Sequence, residues 1–272
     1  MKIRESCLPA GWYPRNPDEI KRFLAFSESR ISGGKAAMAP HAGWYYSGKI
    51  AAGAVASLDR KIDTLVIIGG HLPAGNPLFA MEDAVDTPLG TMTINAPLRA
   101  ALYDKLRGRE DRCADNTVEV LLPMARFFFP DASLLWLRLP AALSSFDAGK
   151  AIAAAAAELG QTVAVLASTD LTHYGINYGF APKGTGAEAL RWVREVNDSR
   201  FIGAVESGDP DAVLERAEED RSSCSVGAVL GAMGFAASDG GKARLLEYGT
   251  SADVGGGGEV PDSFVGYAAM GF

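Results

Sequence analysis

Four short apolar runs, each closed by a turn signal, constrain the fold of this chain more than any other feature. They are KAAMAP (35–40), TLVIIGG (64–70), SLLWLRLP (133–140) and TVAVLAS (162–168). Continuous apolar runs of this length suit strands buried on both faces. Between and after them lie helical stretches: 48–58, 97–106, 117–129, 147–159, 186–205, 209–219 and 225–237. Pro123 should perturb the third of these, because it removes an amide donor inside the helix. The alanine-rich 147–159 and the small-residue 225–237 read as helices with small faces. KARLLEYGTS (242–251) and SFVGYAAMGF (263–272) read as closing strands. Strands alternating with helices predict an α/β fold, with a central, mostly parallel sheet flanked by helices. With neither an internal repeat nor a linker, residues 1–272 read as a single domain, and an apolar content of 48% supplies a sizeable core. The glycine run at 255–258 reads as a surface loop rather than a lid.

Charge and composition exclude several partners. Acidic residues number 33 against 26 basic ones, a net charge of −7. Nucleic acid is therefore not expected as the main partner, since phosphate binding needs a basic face. RFLAFSESR and LRGREDR mix both signs and read as solvated faces. No apolar run approaches the ~20 residues of a membrane span. The first residues lack the apolar segment of a secretory signal. Three widely spaced cysteines do not form a disulfide framework. A reducing, cytoplasmic location is expected.

The chemistry-bearing residues are few and placed alike. All three histidines follow an apolar strand: His41 after KAAMAP, His71 after TLVIIGG and His173 after TVAVLAS. Ligands in open α/β sheets bind beyond the carboxyl ends of the strands, so the three are expected to share a site. Gly43, Gly69 and Gly70 beside them permit sharp turns or close approach. Cys224 precedes the helix 225–237, with Ser222 or Ser223 as its expected cap. A cysteine at a helix N-terminus is favoured as thiolate, the form that ligates or attacks. Cys7 and Cys113 read as inert buried thiols. In STDLTHYG (168–175), Asp170 lies three residues before His173 and is expected to orient it or share acid/base work, while Ser168 and Thr169 close the strand. A hydrolase triad lacks its G-x-S-x-G elbow, and neither a Walker A nor a dinucleotide fingerprint follows a strand.

Five segments together resemble the Memo family, also called protein B of the AmmeMemoRadiSam system. They are AGWYPRNPDEIKRFL (10–24), APHAGWYYSG (39–48), IIGGHLP (67–73), STDLTHYG and CSVGAVLGAM (224–233). The resemblance implies a fold similar to class III extradiol dioxygenases. It also implies that His41, His71 and Cys224 ligate one transition metal, iron(II) or copper, with zinc compatible with the same donors. His173, with Asp170, matches the dioxygenases' acid/base position. The implied partners are a small-molecule or peptide ligand in the cleft, together with radical-SAM and AMMECR1-like proteins encoded beside bacterial and archaeal members.

Two segments depart from the family pattern. Where the family has a histidine-rich E-H-S-x-E-x-H-x-P stretch, this chain reads DNTVEVLLP (115–123). Asn116 and Leu121 replace the histidines, and Glu119 remains. The G-P-S-H-H segment is shortened to Gly69-Gly70-His71. One expectation is a metal-dependent oxidoreductase of dioxygenase-like architecture. The other is a non-enzymatic protein that carries a metal or binds a peptide, a reading favoured by thiolate in place of the harder carboxylate.

Overall fold

The structure, a computed structural model, describes residues 1–27, 33–254 and 259–272, so the glycine run at 255–258 lies outside the described residues. Four parallel strands form the centre of the main sheet: β1 (Ala36–Ala39), β2 (Thr64–Gly69), β3 (Ser133–Arg138) and β4 (Val163–Ser168). Their spatial order is β1-β4-β2-β3. Three more strands are β5 (His173–Gly175), β6 (Arg244–Thr250) and β7 (Ser263–Gly271). β7 lies antiparallel to β1, and both β5 and β6 pair with it antiparallel. On the far side, Leu78–Phe79 runs antiparallel to β3 and is followed in parallel by Arg109–Glu110, making nine strands among the described residues. Ile3–Arg4, Ala84–Val85 and Met92–Thr93 form a separate small sheet.

The unbroken apolar runs have a simple cause. Alternate residues of one strand point to opposite faces, and both faces here are covered. Leu65, Ile67, Leu134, Trp136, Ala164 and Leu166 enter one core. Val66, Ile68, Leu135, Leu137, Val165 and Ala167 enter the other. Ten helices surround the sheet among the described residues: α1 (Pro17–Leu24), α2 (Trp44–Ser57), α3 (Ala96–Lys105), α4 (Asn116–Glu119), α5 (Leu122–Phe128), α6 (Ser144–Glu158), α7 (Ala187–Trp192), α8 (Asp198–Ser207), α9 (Pro210–Glu219) and α10 (Val226–Ala237). α1, α2, α4 and α5 cover the first face. α3, α6, α8, α9 and α10 cover the second.

The helix expected over 117–129 is two helices, α4 and α5. Pro123 falls in the first turn of α5, where its missing N–H has no intrahelical partner to lose. The stretch 186–205 is also divided, with a π-helical segment Val193–Asn197 between α7 and α8. Its wider turn delivers Asp198 to the buried side of α8, where a side chain on Gly266 of β7 would collide with the carboxylate. The small faces of α6 and α10 meet each other. A methyl group on Gly149 would strike the Gly231 carbonyl, and one on Gly234 the Phe146 carbonyl. No helix among the described residues is long and apolar enough to cross a membrane.

Candidate metal centre

β1, β4 and β2 are neighbours in the sheet, and each leads at its carboxyl end to a histidine. His41 is buried, at 1% exposure. Its Nδ1 lies 2.9 Å from the Ser168 hydroxyl at the end of β4. That hydroxyl donates to the Thr117 carbonyl. The serine proton is thus committed, and its oxygen accepts from Nδ1–H. When the ring is neutral, this leaves the lone pair on Nε2, 3.2 Å from Cys224 Sγ.

His71 sits in the left-handed region with φ 55°, an uncommon conformation outside glycine that concentrates at functional sites. Gly70 before it packs so closely that any side chain would strike Ser225. Gly69 is likewise pressed against Thr117 and Val118, whereas Gly43 has an ordinary φ of −55° and room for a methyl group. His71 Nδ1 faces Asp115 Oδ2 at 3.1 Å, and a carboxylate here can only accept. Its Nε2 is left free, perpendicular to the His41 ring at a centroid distance of 4.9 Å. Asp115 also caps α4 through the Thr117 amide and lies 3.2 Å from Arg138 Nη1. Arg138 is itself buried and bonded twice to Asp111, at 3.0 Å each.

Cys224 is tied to the strand end carrying Asp170. Its amide donates to the Asp170 carbonyl at 3.2 Å, and the Asp170 amide donates to Sγ at 3.3 Å. The helix cap expected from Ser222 or Ser223 falls instead on Ser225, which makes no side-chain capping bond. Ser222 donates to the Arg216 carbonyl, and Ser223 bonds the Thr169 hydroxyl. One ligand atom from each of His41, His71 and Cys224 lies within 4.8 Å of the others, the one such group among the described residues.

Charge in the cluster follows from this proximity. Burial pushes the Cys224 thiol up, but the His41 charge, its hydrogen bond and the nearness of His173 and His71 outweigh it and hold the thiol well below its ordinary range. Burial pushes His41 down, while Cys224 and Asp170 hold it above its ordinary value. The same burial acts on His71, where Asp115 and Cys224 raise the ring to about 10. Burial also lowers His173, and Asp170 with Cys224 raise it to about 9. Asp115 is lifted by burial and held well below the usual carboxylate range by His71, Thr117 and Arg138.

His173 is half-buried and opens β5, pairing with Val265 of β7, rather than lying in a loop. Its Nε2 has no hydrogen-bond partner among the described residues and stands 3.8 Å from Asp170 Oδ2. Asp170 bridges two histidines: Oδ1 accepts from the His41 amide at 2.8 Å, and Oδ2 lies 3.9 Å from His41 Nε2. His41, His71, Asp170 and His173 all line a cleft of about 940 Å³, walled also by Trp12, Tyr46, Tyr178 and Tyr267.

The two replaced family positions part company. Asn116 lines the cleft and donates to the His41 carbonyl at 3.1 Å. Leu121 is packed in the core at 1% exposure. Glu119 anchors the N-terminal segment, accepting from the Cys7 and Leu8 amides and the Tyr13 hydroxyl. Cys7 and Cys113 are exposed, contrary to the buried reading. The Cys7 thiolate is disfavoured for another reason: partial burial and its bond to Glu119 raise the thiol to about 11. Sequence reasoning missed Asp115 and Arg138 entirely. An Asp before a helix signals a cap, but nothing in the sequence directs its second oxygen to His71.

The model of a family described as Memo-like protein matches residues 4–271. The chain belongs to the Memo family. A Memo-family relative from Pyrococcus abyssi, a MEMO1 family protein, is 31% identical, covering 98% of both chains. Another from Pyrobaculum arsenaticum is 28% identical over 99% of both. Among solved structures, an uncharacterized Escherichia coli K12 protein, JW3007, is 14% identical with a TM-score of 0.47, covering 87% of this chain and 99% of its own.

Proposed function

We propose that this Memo-family protein holds one transition metal ion through His41, His71 and Cys224 and uses it on a ligand bound in the cleft. The donor set fits such an ion on three counts. The donors converge within 4.8 Å. Ser168 and Asp115 fix the Nδ1 proton of each ring, leaving Nε2 to ligate. The cysteine is favoured as thiolate. Two imidazoles and a thiolate suit copper or zinc and remain compatible with iron(II).

The observation carrying the reading is that the cleft lined by the two donor imidazoles, His41 and His71, also contains His173, whose Nε2 has no partner among the described residues. A bound ion would supply Lewis acidity at an open coordination position. The chain supplies the rest: His173 Nε2 gives or takes a proton at the ligand, Asp170 sets its charge, and the aromatic walls exclude water. This arrangement fits an oxidoreductase of dioxygenase-like type. The thiolate donor supports the second reading, a protein that carries the metal.

Elemental analysis of protein purified without added metal tests the centre. Stoichiometric metal is expected, lost in His41→Ala, His71→Ala and Cys224→Ala and retained in His173→Ala. Metal retained in the first three, or lost in the last, overturns the assignment. Turnover of catechols, set against release of the ion to a chelator, separates enzyme from carrier.

A further inference from the structure

On the Cys224 side of the centre lies a second cavity of about 320 Å³, whose lining includes His173, Tyr178, Arg221, Ser223 and Cys224. His173 and Tyr178 also line the large cleft, so the two spaces share a wall. Among the described residues, Arg221 is the one arginine or lysine lining either space. It follows Asp220, the C-terminal cap of α9, in the left-handed region with φ 50°, a position where glycine is the ordinary residue. Its guanidinium lies over the Phe180 ring, 5.1 Å from the centroid, and Nη1 donates to the Gly179 carbonyl at 3.3 Å. The acidic side chains nearest in sequence that form ion pairs, Glu215, Glu219 and Asp220, all pair with Arg216. Arg221 itself forms no ion pair among the described residues.

We propose that Arg221 is the anion-recognition residue of the site, taking the carboxylate or phosphate of a small ligand whose other end reaches the metal centre. The inference rests on the proposed metal function for what lies at that other end. A guanidinium presents a planar fork of donors that matches either oxyanion in bidentate fashion. Stacking on Phe180 and the tether to Gly179 hold the fork in place before any ligand arrives, which reduces the ordering cost of binding. The cavity holds much more than a single water, whose share of liquid volume is about 30 Å³. The shared wall at His173 and Tyr178 lets one molecule occupy both spaces.

The test measures binding of benzoate, phenyl phosphate and the neutral benzamide to the full chain by titration calorimetry. One of the two anions is expected to bind at least about tenfold more tightly than benzamide, the scale of a charge-assisted hydrogen bond, and whichever does so identifies the oxyanion. That preference is lost in Arg221→Gly and Arg221→Gln and reduced in Arg221→Lys, which keeps the charge without the stacked, bidentate fork. Arg221→Gly relieves the left-handed backbone, so a purely structural arginine predicts unchanged anion binding in that variant. Its thermal midpoint should not fall, and its metal content should match that of the unmodified protein. Anions binding no better than benzamide, or binding Arg221→Gly as well as the unmodified chain, overturn the proposal. Arg221-dependent anion binding in a protein that holds no metal overturns the metal reading alone.

Discussion

Asp115 holds His71 from one side while Arg138 and the Thr117 amide fix Asp115 from the other. Partners of this kind orient a ligating ring and raise its basicity. Asp115→Asn should weaken metal binding by about 10- to 100-fold with the fold intact, as measured by competition with a chelator. Arg138 keeps its two bonds to Asp111 in that variant. The same network sets a pH dependence. In the metal-free protein His71 and His173 stand at about 10 and about 9, and His41 is also raised. A raised imidazole contributes stability that is complete below its unfolded value, about 6.5, and is lost as pH rises through the folded value. Cys224 acts in the opposite sense, its depressed thiol gaining stability as pH rises towards its unfolded value. Three rings outweigh one thiol, so the metal-free chain should melt at lower temperature at pH 9 than at pH 6.5. His71→Gln should flatten that slope. Metal affinity should rise over the same interval, because the ligating rings must give up protons. The replaced family positions predict opposite outcomes. Asn116→His should alter ligand binding while costing about 1 kcal/mol or less, whereas Leu121→His should destabilise by about 2–5 kcal/mol in urea titrations. At this scale the donors were legible because the chain has only three histidines, all at strand ends. Asp115, Arg138 and the hydroxyl role of Ser168 were not, since each depends on contacts between residues far apart in sequence.

The elements themselves were legible where burial imposed a pattern. β1 to β4 were read as strands because both faces are apolar, and α6 and α10 as small-faced helices because their small residues are continuous. That second signal marked a helix–helix contact. At Gly234 an added methyl meets the Phe146 carbonyl, a backbone group that cannot rotate away. At Gly231 it meets the tips of Leu139 and Ile68, which can shift. Gly234→Ala should therefore cost more than Gly231→Ala, at the upper end of the about 1–3 kcal/mol typical of overpacking, in urea denaturation of both variants. The two-residue strands were not legible, because hydrogen-bonded pairing to a neighbour defines them and no periodicity develops over two residues. The π-helical turn before Asp198 was missed for a related reason. Its cause is tertiary: Asp198 accepts from the Thr172 amide at 3.1 Å and from the Tyr248 hydroxyl at 2.7 Å. It thereby braces the residue before His173 from beneath the cleft.

Across the whole molecule, the proposed ion would link stability to metal supply. A ligand at 100 times its dissociation constant stabilises the folded state by about 2.7 kcal/mol, which for a chain of this size raises the melting temperature by about 5 °C. Calorimetry with and without a chelator should record that shift, and Cys224→Ala should abolish it. The sheet order adds a consequence for synthesis. β4 lies between β1 and β2, although it follows both in the chain. His41 and His71 therefore leave the ribosome on two strands that are not yet held in their final relation. Cys224 emerges 183 residues after His41, a delay of about 10–40 s at common translation rates. Throughout that interval the nascent chain offers no assembled donor set, so a passing ion finds at most isolated imidazoles. Loading of the proposed ion would thus be a late event, performed by a chain whose four parallel strands have all been made but whose closing strands β6 and β7 have not.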